Sequence, residues 1–369
     1  MEFVNLSGLP AGWTLGFDQE GRELLVVVAK ATYKVPSQDQ APLLAEEQSE
    51  LVKADEFTGE PGYSATLHET DYSPRKLKCD VVLNGSAYAP HGRPAKAVEV
   101  SLLVASMRKS FWVFGDRRWQ DFLLPPSGPE PFVQTAISYD RAYGGADRNN
   151  DEPDKVATYA ENPVGTGYHP IRRASALVGE LLANSAERKQ PISDITGRFK
   201  PMSFGPVGRN FLSRYKHAGT YDQKWLEERA PIWPTDFSYA YCQCAPDDQQ
   251  VQFLQGGEPV ELMNLSPEGV LSFEVPSRKV PVICVARNQQ DVETLCVCDT
   301  FLFEPDLGRF SLTWRASIPL RRNLFELKQV VVGELPRSWY SKRRAQRAGK
   351  TYYASLAEAV ASRRPGGRP

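Results

Sequence analysis

Four histidines, six cysteines and a scatter of paired acids are the residues of this 369-residue chain with the means to do chemistry. His68, His91, His169 and His217 all sit among turn residues, where any could act as a general base. No G-x-S-x-G elbow presents a serine to them. A hydrolase-like site between domains would draw on Asp140, Arg141, His169 and Asp247, an arginine and two carboxylates beside a base. Cys242 and Cys244, like Cys296 and Cys298, are two apart, a spacing that puts both thiols on one face of a strand. Two such pairs could close a tetrahedral zinc site, but ribbon-type sites use two intervening residues. Packing of small buried thiols is the expectation, with no metal and no cofactor. Gly349-Lys350-Thr351 has Arg344 where a phosphate loop needs its first glycine. Asp247-Asp248 follows Ala245-Pro246, which reads as a turn.

The elements that would position these groups are strands. Glycine (27) and proline (29) are frequent and apolar runs are short, which favours a turn-rich β protein. Residues 23–35 form a long β-branched run, apolar on both faces, expected to be a central strand that Pro36 ends. Further strands are expected over 13–17, 79–85, 98–104 and 109–116, then over 258–265, 271–275, 280–286, 294–303 and 309–316. Gly269 suits a hairpin turn after Leu265-Ser266-Pro267-Glu268. The fold class expected is mainly β: two antiparallel β-sandwich or barrel-like domains, joined by long irregular aromatic-rich segments, with short helices only. The divisions fall at 1–120, an N-terminal β domain; 121–250, an irregular connecting region packed on the β domains; 251–335, a C-terminal β domain; and 336–369, a basic, partly helical tail.

The connecting region is richest in aromatics over residues 204–250. It follows no strand or helix period for most of its length, so its rings are expected to lie over a scaffold. One short helix is expected there, with Thr220 as cap, Asp222 in the first turn and Trp225 and Leu226 following before Pro231. Residues 147–154 read as an outward polar loop, and 175–186 as a helix or partly ordered loop. Tyr139, Arg141, Tyr143, Tyr221, Trp225 and Asp247 are the candidate partner-binding residues. Their rings either anchor a partner or fill the interface between the β units.

The formal net charge of −1 predicts no general attraction to nucleic acid or membrane. It hides an asymmetry, because the tail from Arg337 holds nine basic residues against Glu358, leaving +8 there and −9 elsewhere. Leu356 and Val360, four apart, give residues 352–362 a helical pattern, and Pro365-Gly366-Gly367 is expected to fray. The tail reads as a solvated helix, with nucleic acid or an acidic partner as its functional alternatives. No stretch approaches eighteen apolar residues, and the N-terminus has neither a basic region nor an apolar core for export. A cytoplasmic protein with reduced thiols is expected.

Distributed motifs point further. They include the run from Gly21 to Tyr33, Val113-Phe114-Gly115-Asp116-Arg117 with Trp119, and Tyr139-Asp140-Arg141-Ala142-Tyr143-Gly144-Gly145. Asn162-Pro163-Val164-Gly165-Thr166-Gly167-Tyr168, Phe204-Gly205-Pro206-Val207 with Arg209, and Gly219-Thr220-Tyr221-Asp222 with Trp225 follow. Ala245-Pro246-Asp247-Asp248-Gln249, the run from Gly256 to Leu262 and that from Asn264 to Gly269 close the series. Over roughly residues 12–320 the chain resembles the family of domain of unknown function 2169. The resemblance implies an accessory role in bacterial type VI secretion: a chaperone or adaptor for toxic effectors, commonly with a PAAR-like spike-tip domain, loaded on the VgrG spike. It supplies no catalytic residues.

Overall fold

The structure is a computed structural model. It describes all residues except 38–39, 121–123, 147–155, 171–176, 196 and 363–369. The expected loop at 147–154 and the fraying at 365–367 therefore lie outside the described residues, as do the first two positions of the segment 175–186. The rest of that segment is turn and bridge, ending in the strand Ser185–Ala186.

The run expected to be a central strand is one. Glu23–Lys34 pairs antiparallel with Ala11–Phe17 on one side and with Arg309–Pro319 on the other. Beyond Arg309–Pro319 come Val297–Glu304, Cys79–Leu83 and Gln250–Val251, completing a six-stranded sheet. A five-stranded antiparallel sheet runs in the order Ser185–Ala186, Met107–Phe114, Ala97–Val104, Pro259–Met263, Val270–Glu274. Gly269 makes its expected turn at φ 86°. A four-stranded sheet joins Glu2–Asn5, Leu327–Val332, Pro281–Ala286 and Val292–Leu295. Among the described residues there are four short α-helices, so the chain is mainly β, and none of its sheets closes into a barrel.

The division into an N-terminal and a C-terminal β domain needs correction. Segments 1–120 and 251–335 share sheets: Val297–Glu304 lies between Cys79–Leu83 and Arg309–Pro319, and Arg309–Pro319 lies against Glu23–Lys34. The physical reason is edge satisfaction. Glu23–Lys34 and Arg309–Pro319 are both buried almost end to end, so each needs hydrogen-bonded partners on both sides, and the two match over eleven residue pairs. Among the described residues antiparallel pairing has three exceptions, Cys79–Leu83 with Val297–Glu304, Glu2–Asn5 with Leu327–Val332, and the short pair Tyr143–Gly144 with Thr166–Gly167.

Strand alternation gives the six-stranded sheet two unlike faces. Leu25, Val27, Ala29, Phe301, Phe303, Phe310 and Leu312 face a common core that also takes Val100, Phe111, Val260 and Val330 from the other sheets. The opposite face is buried too, yet it carries Lys30, Asp80, Asp299 and Arg315. Irregular chain covers it and supplies counter-charges. Lys30 pairs with Asp71, Lys76 with Asp80 at 2.7 Å, and Arg315 with Asp299 at 2.6 Å. Arg214 of the aromatic segment joins Glu69 at 2.5 Å. The expected short helix is Gln223–Glu228, but its cap is Asp222, whose carboxylate accepts from the Trp225 N–H. Thr220 instead hydrogen-bonds Asp236. The tail forms helices Arg337–Arg347 and Leu356–Ser362, and Arg343 and Arg347 hold the first of them to Asp291.

Candidate functional site

Residues 212–237 form an arm that meets the end of Ala11–Phe17 and the turn after it through residues 229–237. The Trp233 indole N–H donates to the Phe17 carbonyl at 3.0 Å, and the Gln19 amide donates to the Phe237 carbonyl at 2.5 Å. Within the arm the Trp225 indole N–H donates to the Ile232 carbonyl at 2.8 Å, and Tyr221 packs edge-on against the Trp225 ring at 4.7 Å. That architecture leaves large apolar side chains outside: Leu212, Tyr215, Tyr221 and Leu226 are 44%, 66%, 51% and 57% exposed. A hollow of about 550 Å³ in the arm is lined by Thr220, Trp225, Arg229 and Asp236 among others.

The structure thus brings Tyr221 and Trp225 together at the surface, and places the other candidates elsewhere. The Tyr139 and Tyr143 rings are core rather than surface anchors. Tyr139 is buried edge-on against Phe211. Tyr143 is buried among Tyr159 and Phe199, donates to the Gly197 carbonyl at 2.8 Å, and has its pKa pushed up to about 12 by burial. Asp247 is exposed in the turn Asp247–Gln249, where its neighbour Asp248 joins Lys109 and Lys200, both at 3.1 Å. Burial drives the Lys109 pKa down to about 8 despite that carboxylate.

Arg141 lines a second, larger pocket of about 560 Å³. One wall is residues 136–141, the opposite wall is 65–68 with Thr58, and Asn84, Gly205 and residues around 304–309 complete it. Asp140 ties the two walls, accepting from Thr58 Oγ1 at 2.7 Å and the Ala65 N–H at 2.8 Å. His68 lies between Glu56 (2.7 Å) and Glu304 (3.0 Å), and Glu304 also takes Arg309 at 2.8 Å. Burial would lower the His68 pKa, but its bonds to the two carboxylates outweigh that and raise it. Burial likewise opposes the Glu304 carboxylate, yet His68 and Arg309 bring its pKa down to about 2. His169 is buried and, like Asp247, does not line this pocket, so the set Asp140, Arg141, His169 and Asp247 is not gathered in one cavity.

Sequence reasoning named His68 only as one of four candidate bases, and missed its neighbours Glu56, Glu304, Asp306 and Arg309. They come from strand ends some 240 residues apart, and no local spacing marks them. Cys242 ends a 3-10 turn rather than lying in a strand, with Cys244 following it beside Lys76. Among the described residues no group of three or more His, Cys, Asp or Glu side chains is arranged to hold a metal ion, and no helix is long and apolar enough to cross a membrane.

No curated protein and no solved structure matches the chain. One family model does, over residues 20–315, which covers the six-stranded sheet's centre, the arm and both pockets. The chain belongs to that family, described as an uncharacterized protein conserved in bacteria, DUF2169.

Proposed function

We propose that this chain is a non-enzymatic chaperone or adaptor, acting in the bacterial cytoplasm. On this reading it binds a type VI secretion effector with a PAAR-like domain, stabilises it, and helps load it on the VgrG spike. The observation that carries the binding role is the arm: four large apolar side chains exposed within residues 212–226. Isolated exposed apolar residues are ordinary; these four, close together in sequence, contribute on this reading to one docking surface. Tyr221 and Trp225 add broad contact area held by a capped helix, at small cost in conformational entropy. A ligand that binds only the folded effector stabilises it by mass action.

The test is co-expression with a type VI effector that carries a PAAR-like domain and comes from the same bacterium, with a tag on that partner alone. Co-purification of the two, and loss of partner abundance without this chain, is the expected result. Tyr221→Ser with Leu226→Ser should abolish co-purification while leaving the melting temperature of the isolated chain within a degree or two. Failure to associate, with or without VgrG, sinks the proposal.

A further inference from the structure

The 560 Å³ pocket at residues 136–141 is lined by three acids and three basic side chains, but the basic ones are engaged in part by carboxylates outside it. Each cation that lines it is matched: Arg141 to Asp116 at 3.0 Å, Arg309 to Glu304 at 2.8 Å, and His68 to Glu56 and Glu304. Two of its acids are not. Among the described residues Asp306 takes the Ser86 and Tyr88 hydroxyls, at 2.7 and 2.8 Å, and Asp140 takes Thr58, Ser138 and the Ala65 N–H. Counting Asp116 and Glu56, which pair with lining cations from outside the lining, five carboxylates stand against two guanidiniums and His68, which leaves Asp140 and Asp306 with no cationic partner among the described residues. The rest of the lining is largely apolar, with Ala65, Leu67, Ala136, Ile137 and Leu307.

We infer that this pocket receives an arginine or lysine side chain carried on an extended stretch of a partner polypeptide. The apolar walls suit the methylene stem of such a side chain, and Asp306 and Asp140 suit its charged head. The volume exceeds what one side chain fills, leaving room for the residues flanking it. Charge complementarity of this kind selects partner and register. The inference extends the binding-protein reading to a second contact. Its test needs no effector, so its failure and the failure of co-purification are separate results.

The full chain is titrated with acetyl-Ala-Arg-Ala-amide, its lysine, citrulline and glutamate counterparts, and free agmatine, by calorimetry. The arginine and lysine peptides are expected to bind saturably. Citrulline, which keeps the shape and loses the charge, should bind at least tenfold more weakly. Asp306→Asn keeps acceptor and shape and should weaken the arginine peptide at least tenfold. Leu307→Arg, at a residue 63% exposed on the pocket's lining, should block the peptide by placing a tethered cation there. Equal binding of arginine and citrulline peptides, preference for the glutamate peptide, or no saturable binding at millimolar concentration overturns the inference. So does agmatine binding as tightly as the arginine peptide, which would make the ligand a small amine. If both variants fold, as judged by unchanged melting, and bind the arginine peptide normally, the pocket is not the site.

Discussion

Asp80→Asn tests whether buried charge holds the irregular segments on the sheet. The Asp80 side chain is fully buried and accepts four bonds: from Lys76 Nζ at 2.7 Å, Gln243 Nε2 at 2.8 Å, and the Cys244 and Ala245 N–H groups at 2.9 and 3.2 Å. Burial disfavours the Lys76 ammonium, and Asp80, helped by the more distant Asp299 and Glu69, more than restores it, raising its pKa. Asparagine offers one oxygen where the carboxylate offered two, turns an N–H₂ toward donors, and leaves Lys76 charged without a counter-ion. Breaking one side of a buried pair costs about 3–5 kcal/mol, against a whole-protein stability of roughly 5–15 kcal/mol. Urea denaturation followed by tryptophan fluorescence should therefore show a large fall in midpoint. Glu261→Gln, which breaks the exposed Arg108 pair at 3.4 Å, is the control and should cost under about 1 kcal/mol. Adding Lys76→Met to Asp80→Asn removes the orphaned charge and should recover part of the loss. An Asp80→Asn shift no larger than the control's would refute the reasoning. A double variant no better than the single would assign the damage to the backbone donors of residues 244–245 instead.

The remaining predictions concern other contacts. The raised His68 pKa gives a contribution fully present below pH 6.5 and lost as pH rises through the folded value. Exchange protection of the amides at 56–68 should fall over that range, corrected for intrinsic rate, and His68→Gln should remove the dependence. The depressed Glu304 pKa works in the other direction: its contribution holds above pH 4.5 and is lost as pH falls toward 2. Glu304→Gln should flatten the acid limb of a melting-temperature profile. Asp291→Asn loosens the two arginines that hold Arg337–Arg347; limited trypsin digestion should then release the tail several-fold faster with the sheets intact. Gly115→Ala drives a methyl group into the Glu130 carbonyl, and should lower the melting temperature by several degrees.

What the sequence made legible was local. Glu23–Lys34 announces itself because a β-branched run apolar on both faces has no other stable home. Leu271 and Phe273 alternate with exposed neighbours, and that period of two made them readable as a strand with one buried face. The arm helix was readable from Trp225, Leu226 and Pro231, though its cap is Asp222 rather than Thr220, whose N–H and hydroxyl both donate to Asp236 sixteen residues away. Sheet membership was not legible. Nothing near Val297–Glu304 signals that Cys79–Leu83 will lie beside it in parallel. The candidate sites divide the same way. Tyr221 and Trp225 are neighbours in sequence and in space, whereas Tyr139 and Tyr143 carry the same chemistry into the core. The pocket's Glu56, His68 and Glu304 meet only through tertiary pairing.

The polar face of the six-stranded sheet explains how residues 204–250 can be irregular and still have one position. An apolar cover on an apolar face is non-directional and tolerates sliding. Here the cover is fixed by groups that accept only one geometry. Arg214 donates to the Val207 and Tyr241 carbonyls while pairing with Glu69, and Gln243 spans Asp80 and the Lys78 carbonyl. Our hypothesis is that these buried charges contribute uniqueness rather than net stability, as a buried pair often gains little over an apolar replacement. A rigid cover is what allows the arm to hold Tyr221 and Leu226 in solvent, since a sliding one would fold them onto the sheet. The Asp80→Asn variant separates the two roles: near-ultraviolet circular dichroism from the arm's tryptophans should weaken before the sheet unfolds, and an unchanged spectrum up to the global transition would rule the uniqueness role out.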